Sequence, residues 1–119
     1  MQMNLTLSFF GEDDVLDMAE RKKTLYEAVI GKEDLGSFIV PTAYKGVDVV
    51  PATSFLYQIE FQLFSMMQRE FVLKKCLSAV KAAGTYDYIL IDSPPTLGNW
   101  VINILCASDH VIMPVEASS

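Results

Sequence analysis

Asp92 is the residue of this sequence whose placement best suits chemistry. It follows Tyr88-Ile89-Leu90-Ile91, an unbroken apolar run of the kind that forms a strand buried on both faces. Pro94 and Pro95 end that run, because proline cannot donate to a sheet ladder. A lone carboxylate is thereby set at the carboxyl end of a buried strand, where open α/β sheets bind their ligands. A carboxylate so placed can hold Mg²⁺, often through a water, next to phosphates. The structural alternative is that Asp92 caps a turn or the next helix. The context Asp92-Ser93-Pro94-Pro95-Thr96-Leu97-Gly98 favours the metal.

Other reactive residue types gather into nothing comparable. Cys76 and Cys106 lack metal-ligand spacing and read as two buried structural thiols of a reduced compartment. His110 has no partner at ligand or triad spacing and reads as a histidine at a strand edge. Phe55, Tyr57, Phe61 and Phe64 would stack nucleic-acid bases only with basic residues among them. Their helical spacing reads instead as core or interface packing. The net charge of −6 argues against a surface that grips a phosphate backbone and against attachment to anionic membrane. The cluster Arg21-Lys22-Lys23 comes after Glu12-Asp13-Asp14 and reads as a solvated helix approach.

The elements that must position Asp92 are set by periodicity. The 119 residues suffice for one domain with a core, and 51% apolar content excludes a disordered chain. No apolar run approaches the roughly eighteen residues that span a membrane. Met1-Gln2-Met3-Asn4 lacks the basic and apolar regions of a signal peptide, and the two cysteines without a framework of partners lead to the expectation of a cytoplasmic location. Leu5, Leu7 and Phe9 alternate with polar residues as in a short strand, and Gly11 to Asp14 reads as a loop. Thr24-Leu25-Tyr26-Glu27 is a capping-box pattern that opens a helix ending at Gly31. Residues 32–45 read as a surface connection, with a small strand at 38–40 stopped by Pro41. Val47 to Val50 is a strand ended by Pro51, and Thr53 or Ser54 caps the helix after it. Phe55, Leu56, Ile59, Leu63, Met66 and Met67 share one helical face, and Gln68-Arg69-Glu70 interrupts it. Val72, Leu73, Cys76, Leu77 and Val80 resume the stripe as far as Gly84. Leu97, Trp100, Val101, Ile104 and Leu105 predict another amphipathic helix, and His110 to Met113 a last strand before Pro114. This alternation predicts an α/β fold, with a mainly parallel sheet and helices on both faces.

Three segments together resemble a ParA/Soj-type partition ATPase, of the MinD-like deviant Walker class. Gln2-Met3-Asn4-Leu5-Thr6 is similar to the end of that family's Asp-Pro-Gln-x-Asn-Leu-Thr motif. Val47-Asp48-Val49-Val50-Pro51-Ala52 resembles the strand ending in Ile-Pro-Ala/Ser. Tyr86 to Val115 resembles the Mg²⁺ strand, switch region and next strand, through Asp92-Ser93-Pro94-Pro95, Leu97-Gly98, Asn103, Ala107-Ser108-Asp109 and Pro114-Val115. The resemblance implies a three-layer, Rossmann-like P-loop fold and Mg²⁺-dependent ATP hydrolysis in DNA segregation. It implies that Asp92 holds Mg²⁺ through a water, and that Gln2 and Asn4 flank the hydrolytic site. Ser93, Pro94, Pro95, Leu97 and Gly98 become the switch that contacts the nucleotide. A homodimer, a ParB-like partner and non-specific DNA are implied for the parent, and no membrane.

The pattern also departs from that family. Its glycine-rich phosphate loop with two lysines is absent from residues 1–119. The expectation is therefore an internal part of a single ATPase domain, inactive alone, with its phosphate loop elsewhere. Two alternatives stand beside it. One is a MinD-like or bacterial tyrosine-kinase ATPase domain. The other is a non-catalytic α/β module that acts through protein contacts.

Overall fold

The structure, a computed structural model, describes residues 4–52, 58–93, 98–115 and 117, and at residues 4, 5 and 7 the backbone alone. The described residues begin with a helix, α1 (Asn4–Phe9), where alternation predicts a strand. Six residues fit both periods, and side-chain contacts decide between them. Thr6 and Phe9 lie on one helical face. Thr6 is buried and its Oγ1 accepts from the Ala52 N–H at 2.9 Å. Phe9 meets Tyr44 edge to face at 5.9 Å. The predicted loop after Gly11 is instead the start of α2 (Glu12–Glu20). Its first turn carries Glu12, Asp13 and Asp14, which suit the positive end of a helix. Arg21, Lys22 and Lys23 come next and are exposed, as expected of a solvated cluster.

The capping box forms as the sequence predicts and opens α3 (Leu25–Ile30). Glu27 Oε1 accepts from the Thr24 N–H at 3.1 Å and from its hydroxyl at 2.5 Å. The Leu25 N–H donates to Pro51 O at 2.7 Å, tying this helix start to the end of the next strand. Residues 32–45 are more than a surface connection. A 3₁₀ turn at Leu35–Phe38 buries Leu35 and Phe38 in the core. Then β1 (Val40–Pro41) and β2 (Asp48–Val49) pair antiparallel, Val40 with Val49 and Pro41 with Asp48. Pro41 is tolerated because a two-stranded ladder is all edge. The Thr42 hydroxyl donates to Val47 O at 2.6 Å and closes the hairpin.

Predicted helix and break both appear in the middle of the chain. α4 (Ile59–Leu63) gives way to left-handed Gln68, at φ 52°, and a 3₁₀ turn at Arg69–Phe71. α5 (Val72–Ala83) comes after it and ends at Gly84, whose φ is 65°. Ile59, Leu63, Val72, Leu73, Cys76 and Leu77 are buried on the predicted stripe. Phe61 and Phe64 depart from the predicted core packing, at 86% and 70% exposed. Phe61 points away from buried Ile59 and Leu63, and Phe64, just past α4, has the Arg69 guanidinium over its ring at 5.3 Å. Phe55 and Tyr57, with Thr53, Ser54 and Leu56, lie outside the described residues. The last helix, α6 (Asn99–Ala107), buries Trp100, Asn103, Ile104 and Ala107 at helical spacing.

Two predicted strands are not strands here. Residues 88–91 and 110–113 are without a ladder partner among the described residues. Tyr88 and Leu90 are 85% and 82% exposed, and Ile112 and Met113 are exposed too. A strand buried on both faces needs neighbours on both edges and a covered face, and the described residues supply neither. The β1–β2 hairpin is the one ladder among them. The predicted parallel sheet with helices on both faces is not formed among the described residues, which make a mixed α/β arrangement in which α3, α4, α5 and α6 enclose one apolar core. Its radius of gyration is 14.4 Å, against about 13.5 Å for a close-packed chain of this length.

Candidate functional site

The apolar run before Asp92 forms one wall of an open cleft of about 400 Å³. The opposite wall is the β1–β2 hairpin, through residues 46–50. Leu73, Leu77 and Val80 of α5 form the floor with Trp100 of α6, and Thr6 and Phe9 of α1 close one side. The Tyr86 hydroxyl donates to Asp48 Oδ2 at 2.5 Å and joins the two walls. That bond pushes the Tyr86 phenol above its ordinary pKa, with desolvation and the Asp48 charge adding to it.

Asp92 lies on the lining of this cleft and is exposed. Ile91 packs against the core just before it. Among the described residues no hydrogen bond or ion pair engages the Asp92 carboxylate. Of the structural alternatives, a cap on the next helix is not what the structure forms, and a cap on a turn at 94–97 lies outside the described residues. The start of α6 is capped by Glu60 instead. Glu60 Oε1 accepts from the Asn99 N–H at 2.7 Å and Oε2 from the Trp100 N–H at 3.0 Å. Within the described residues both Asp92 oxygens are left available.

A single uncommitted carboxylate fits Mg²⁺, which keeps several waters and takes few protein ligands. No cluster of three or more His, Cys, Asp or Glu among the described residues suits a metal held by protein alone. The cleft does not fit a triphosphate. Its described lining is mostly apolar and holds no Lys or Arg, whereas phosphates need convergent amides and cations.

The other predicted site residues are placed unevenly. Ser93 is exposed and comes directly after Asp92. Gly98 is the residue before α6, with φ 146°. Asn4 opens α1, whose Thr6 and Phe9 share the cleft with Asp92. Gln2, Pro94, Pro95 and Leu97 lie outside the described residues. His110 is exposed. Cys76 is buried, its Sγ 3.7 Å from Ala28 O, and burial pushes its thiol pKa up. Cys106 is half-buried, and both cysteines are free.

Two residues that organise the site escape a reading of the sequence by motif and period. One is Glu60, whose partners lie on another helix, so no local spacing reveals it. The other is Asn103, which enters the sequence reading only as part of a family pattern. Its Oδ1 accepts from the Leu73 N–H at 3.0 Å, and its Nδ2 donates to Arg69 O at 2.6 Å and Asn99 O at 2.8 Å. A signal for this role exists: Asn103 is a polar residue on the predicted apolar face of Trp100 and Ile104.

Comparison with known proteins bears on what this cleft belongs to. Residues 1–119 match the family model described as AAA domain. The chain is 40% identical over 101 residues to the sporulation initiation inhibitor protein Soj of Bacillus subtilis (strain 168), covering 85% of this chain and 39% of that protein. It is 35% identical over 97 residues to the chromosome partitioning protein ParA of Caulobacter vibrioides (strain NA1000 / CB15N), covering 82% of this chain and 36% of that one. The chromosome-partitioning ATPase Soj of Treponema pallidum (strain Nichols) is 36% identical over 96 residues, covering 81% of this chain and 37% of its own length. The chain thus spans less than half the length of these relatives. No solved structure matches it at a significant level.

Proposed function

We propose that this chain, which belongs to the AAA-domain family and within it to the ParA/Soj type, is the magnesium-strand and switch portion of a partition ATPase. In this reading residues 1–119 are an internal part of one ATPase domain, and the glycine-rich phosphate loop belongs to another part of the protein. Tyr88 to Ile91 and His110 to Met113 would join a mainly parallel, Rossmann-like sheet beside strands from that part. The reaction is ATP hydrolysis, where catalysis is mostly positioning and charge stabilisation.

The observation that carries the reading is the uncommitted Asp92 carboxylate at the end of an apolar run, beside a cleft that α1 also borders. Asp92 would hold Mg²⁺ through a water, and the ion would supply charge neutralisation at the phosphates. Gln2 and Asn4 would flank the attacking water. Ser93, Pro94, Pro95, Leu97 and Gly98 would form the switch, its backbone tracking the nucleotide state. Homodimerisation, contact with a ParB-like partner, non-specific DNA binding and a cytoplasmic location belong to the same proposal. They are consistent with relatives named for chromosome partitioning. No helix of the described residues is long and apolar enough to cross a membrane.

Mg²⁺-dependent ATP hydrolysis by the full-length protein, with and without Asp92→Ala, tests the reading. Because a metal contributes several kcal/mol of charge stabilisation, the substitution is expected to lower turnover about a hundredfold or more. Turnover retained in Asp92→Ala removes the metal assignment. Partner binding that ignores nucleotide altogether would favour the interaction module instead.

A further inference from the structure

Gly98 stands where the segment after Asp92 joins α6, and its surroundings give Glu60 a specific task. Helices are usually capped by the side chain of the residue just before them. Gly98 has none, and a carboxylate from α4 takes that place with both oxygens, on the Asn99 and Trp100 amides. The positive end of the α6 dipole favours this charge. The backbone is shaped for the approach. Gly98 has φ 146° and ψ −169°, a combination confined essentially to glycine. A Cβ there would lie 2.7 Å from Glu60 Oε1 and 2.8 Å from Oε2. Glu60 is fixed from its own side as well, because Ile59 and Leu63 of α4 are fully buried.

We infer that Glu60 is a positioning residue, a clamp that anchors the far end of the Asp92–Gly98 segment. Ile91 holds the near end in the core, and Glu60 holds the far end through the first amides of α6. Displacement of the segment at its α6 end requires this clamp to open. The clamp also occupies two amides that would otherwise attract a phosphate oxygen. While Glu60 holds both amides, the start of α6 is therefore not a phosphate site. The inference rests on the proposed reading of residues 93–98 as the switch.

Amide hydrogen exchange of the full-length protein, with and without ATP and Mg²⁺, tests it in Glu60→Ala and in the isosteric Glu60→Gln. Loss of a charge-assisted cap should speed exchange at Asn99 and Trp100 about tenfold or more in Glu60→Ala, with a smaller rise in Glu60→Gln, which keeps one acceptor. The ATP-dependent change in protection over residues 92–98 should shrink in both, with kcat falling more than KM changes. Wild-type exchange at Asn99 and Trp100 in Glu60→Ala overturns the clamp. Faster exchange there with an unaltered response to ATP over 92–98 reduces Glu60 to a structural cap and overturns the positioning role. Asp92→Ala reports on the metal reading separately, since it leaves the Glu60 bonds untouched.

Discussion

Asn103→Ala offers the most direct test of how the helices are held. The side chain is fully buried and all its polar atoms are engaged. Leu73 is one of the first residues of α5, a helix with no side-chain cap of its own, so its amide depends on Asn103 Oδ1. Truncation removes three hydrogen bonds, each contributing about 1 kcal/mol net. It also leaves the buried Leu73 amide without a partner, at a cost of about 1–3 kcal/mol. These terms overlap, and a total of about 3 kcal/mol is expected, a large share of the roughly 5–15 kcal/mol that holds an ordinary domain together. Urea unfolding monitored by far-UV circular dichroism gives the number, with the midpoint falling and the slope unchanged. Asn103→Leu separates polarity from volume: it fills the space, so a comparable loss assigns the effect to hydrogen bonds. A loss under about 1 kcal/mol for Asn103→Ala would mean that α5 satisfies its first amides without α6. The account of helix capping across the core would then be wrong.

Other outcomes turn on single residues. Gly84→Ala meets no atom within 4 Å but forces a side chain to φ 65°, so it should cost about 1 kcal/mol in thermal or urea unfolding. Cys106 should react with a thiol reagent well before Cys76, and equal rates would contradict their burial. Burial first, and the Asp34 charge second, raise the Cys76 pKa above its ordinary 9.0. The native state therefore keeps a proton that the unfolded chain loses. Stability from this source is complete below that pH and declines as pH rises beyond it. Cys76→Ala should flatten the alkaline slope, and an unchanged slope would assign it elsewhere. The exposed Tyr88, Leu90, Ile112 and Met113 should drive self-association of the 119-residue chain. Light scattering should rise with concentration and fall in Leu90→Lys with Ile112→Lys; a monomer at all concentrations refutes this.

Where the sequence is legible, the controlling interactions are local. The capping box lies within Thr24 to Glu27, and the structure forms it. The stripe from Val72 to Val80, the break at Gln68 and the stop at Gly84 likewise depend on neighbours a few residues away. Sequence and structure part where distant contacts decide. The six residues of α1 fit the strand period as well as the helical one, and contacts with distant Ala52 and Tyr44 favour the helix. The acids at 12–14 have the composition of a loop, yet negative charge also suits a helix start. Tyr88 to Ile91 has the composition of a buried strand, but burial is a property of neighbours that the described residues lack. The candidate site divides in the same way. Asp92 announces itself through the run before it and the prolines after it. That the start of α6 is capped by Glu60, and not by Asp92, is a long-range contact that no spacing foretells.

The long-range caps also impose an order on how this chain matures during synthesis. Neither α5 nor α6 carries a side-chain cap of its own; each borrows one from another helix. The Leu73 amide waits for Asn103, thirty residues later. At about 5–20 residues per second of translation, α5 emerges about 2–6 seconds before its start can be completed. Glu60 waits longer still for Asn99 and Trp100. Both waits end in the same stretch of α6, whose arrival closes two helix ends almost at once. Until residue 99 and its neighbours are released, neither helix start can be completed, and α6 acts as the locking piece for α4 and α5 made before it.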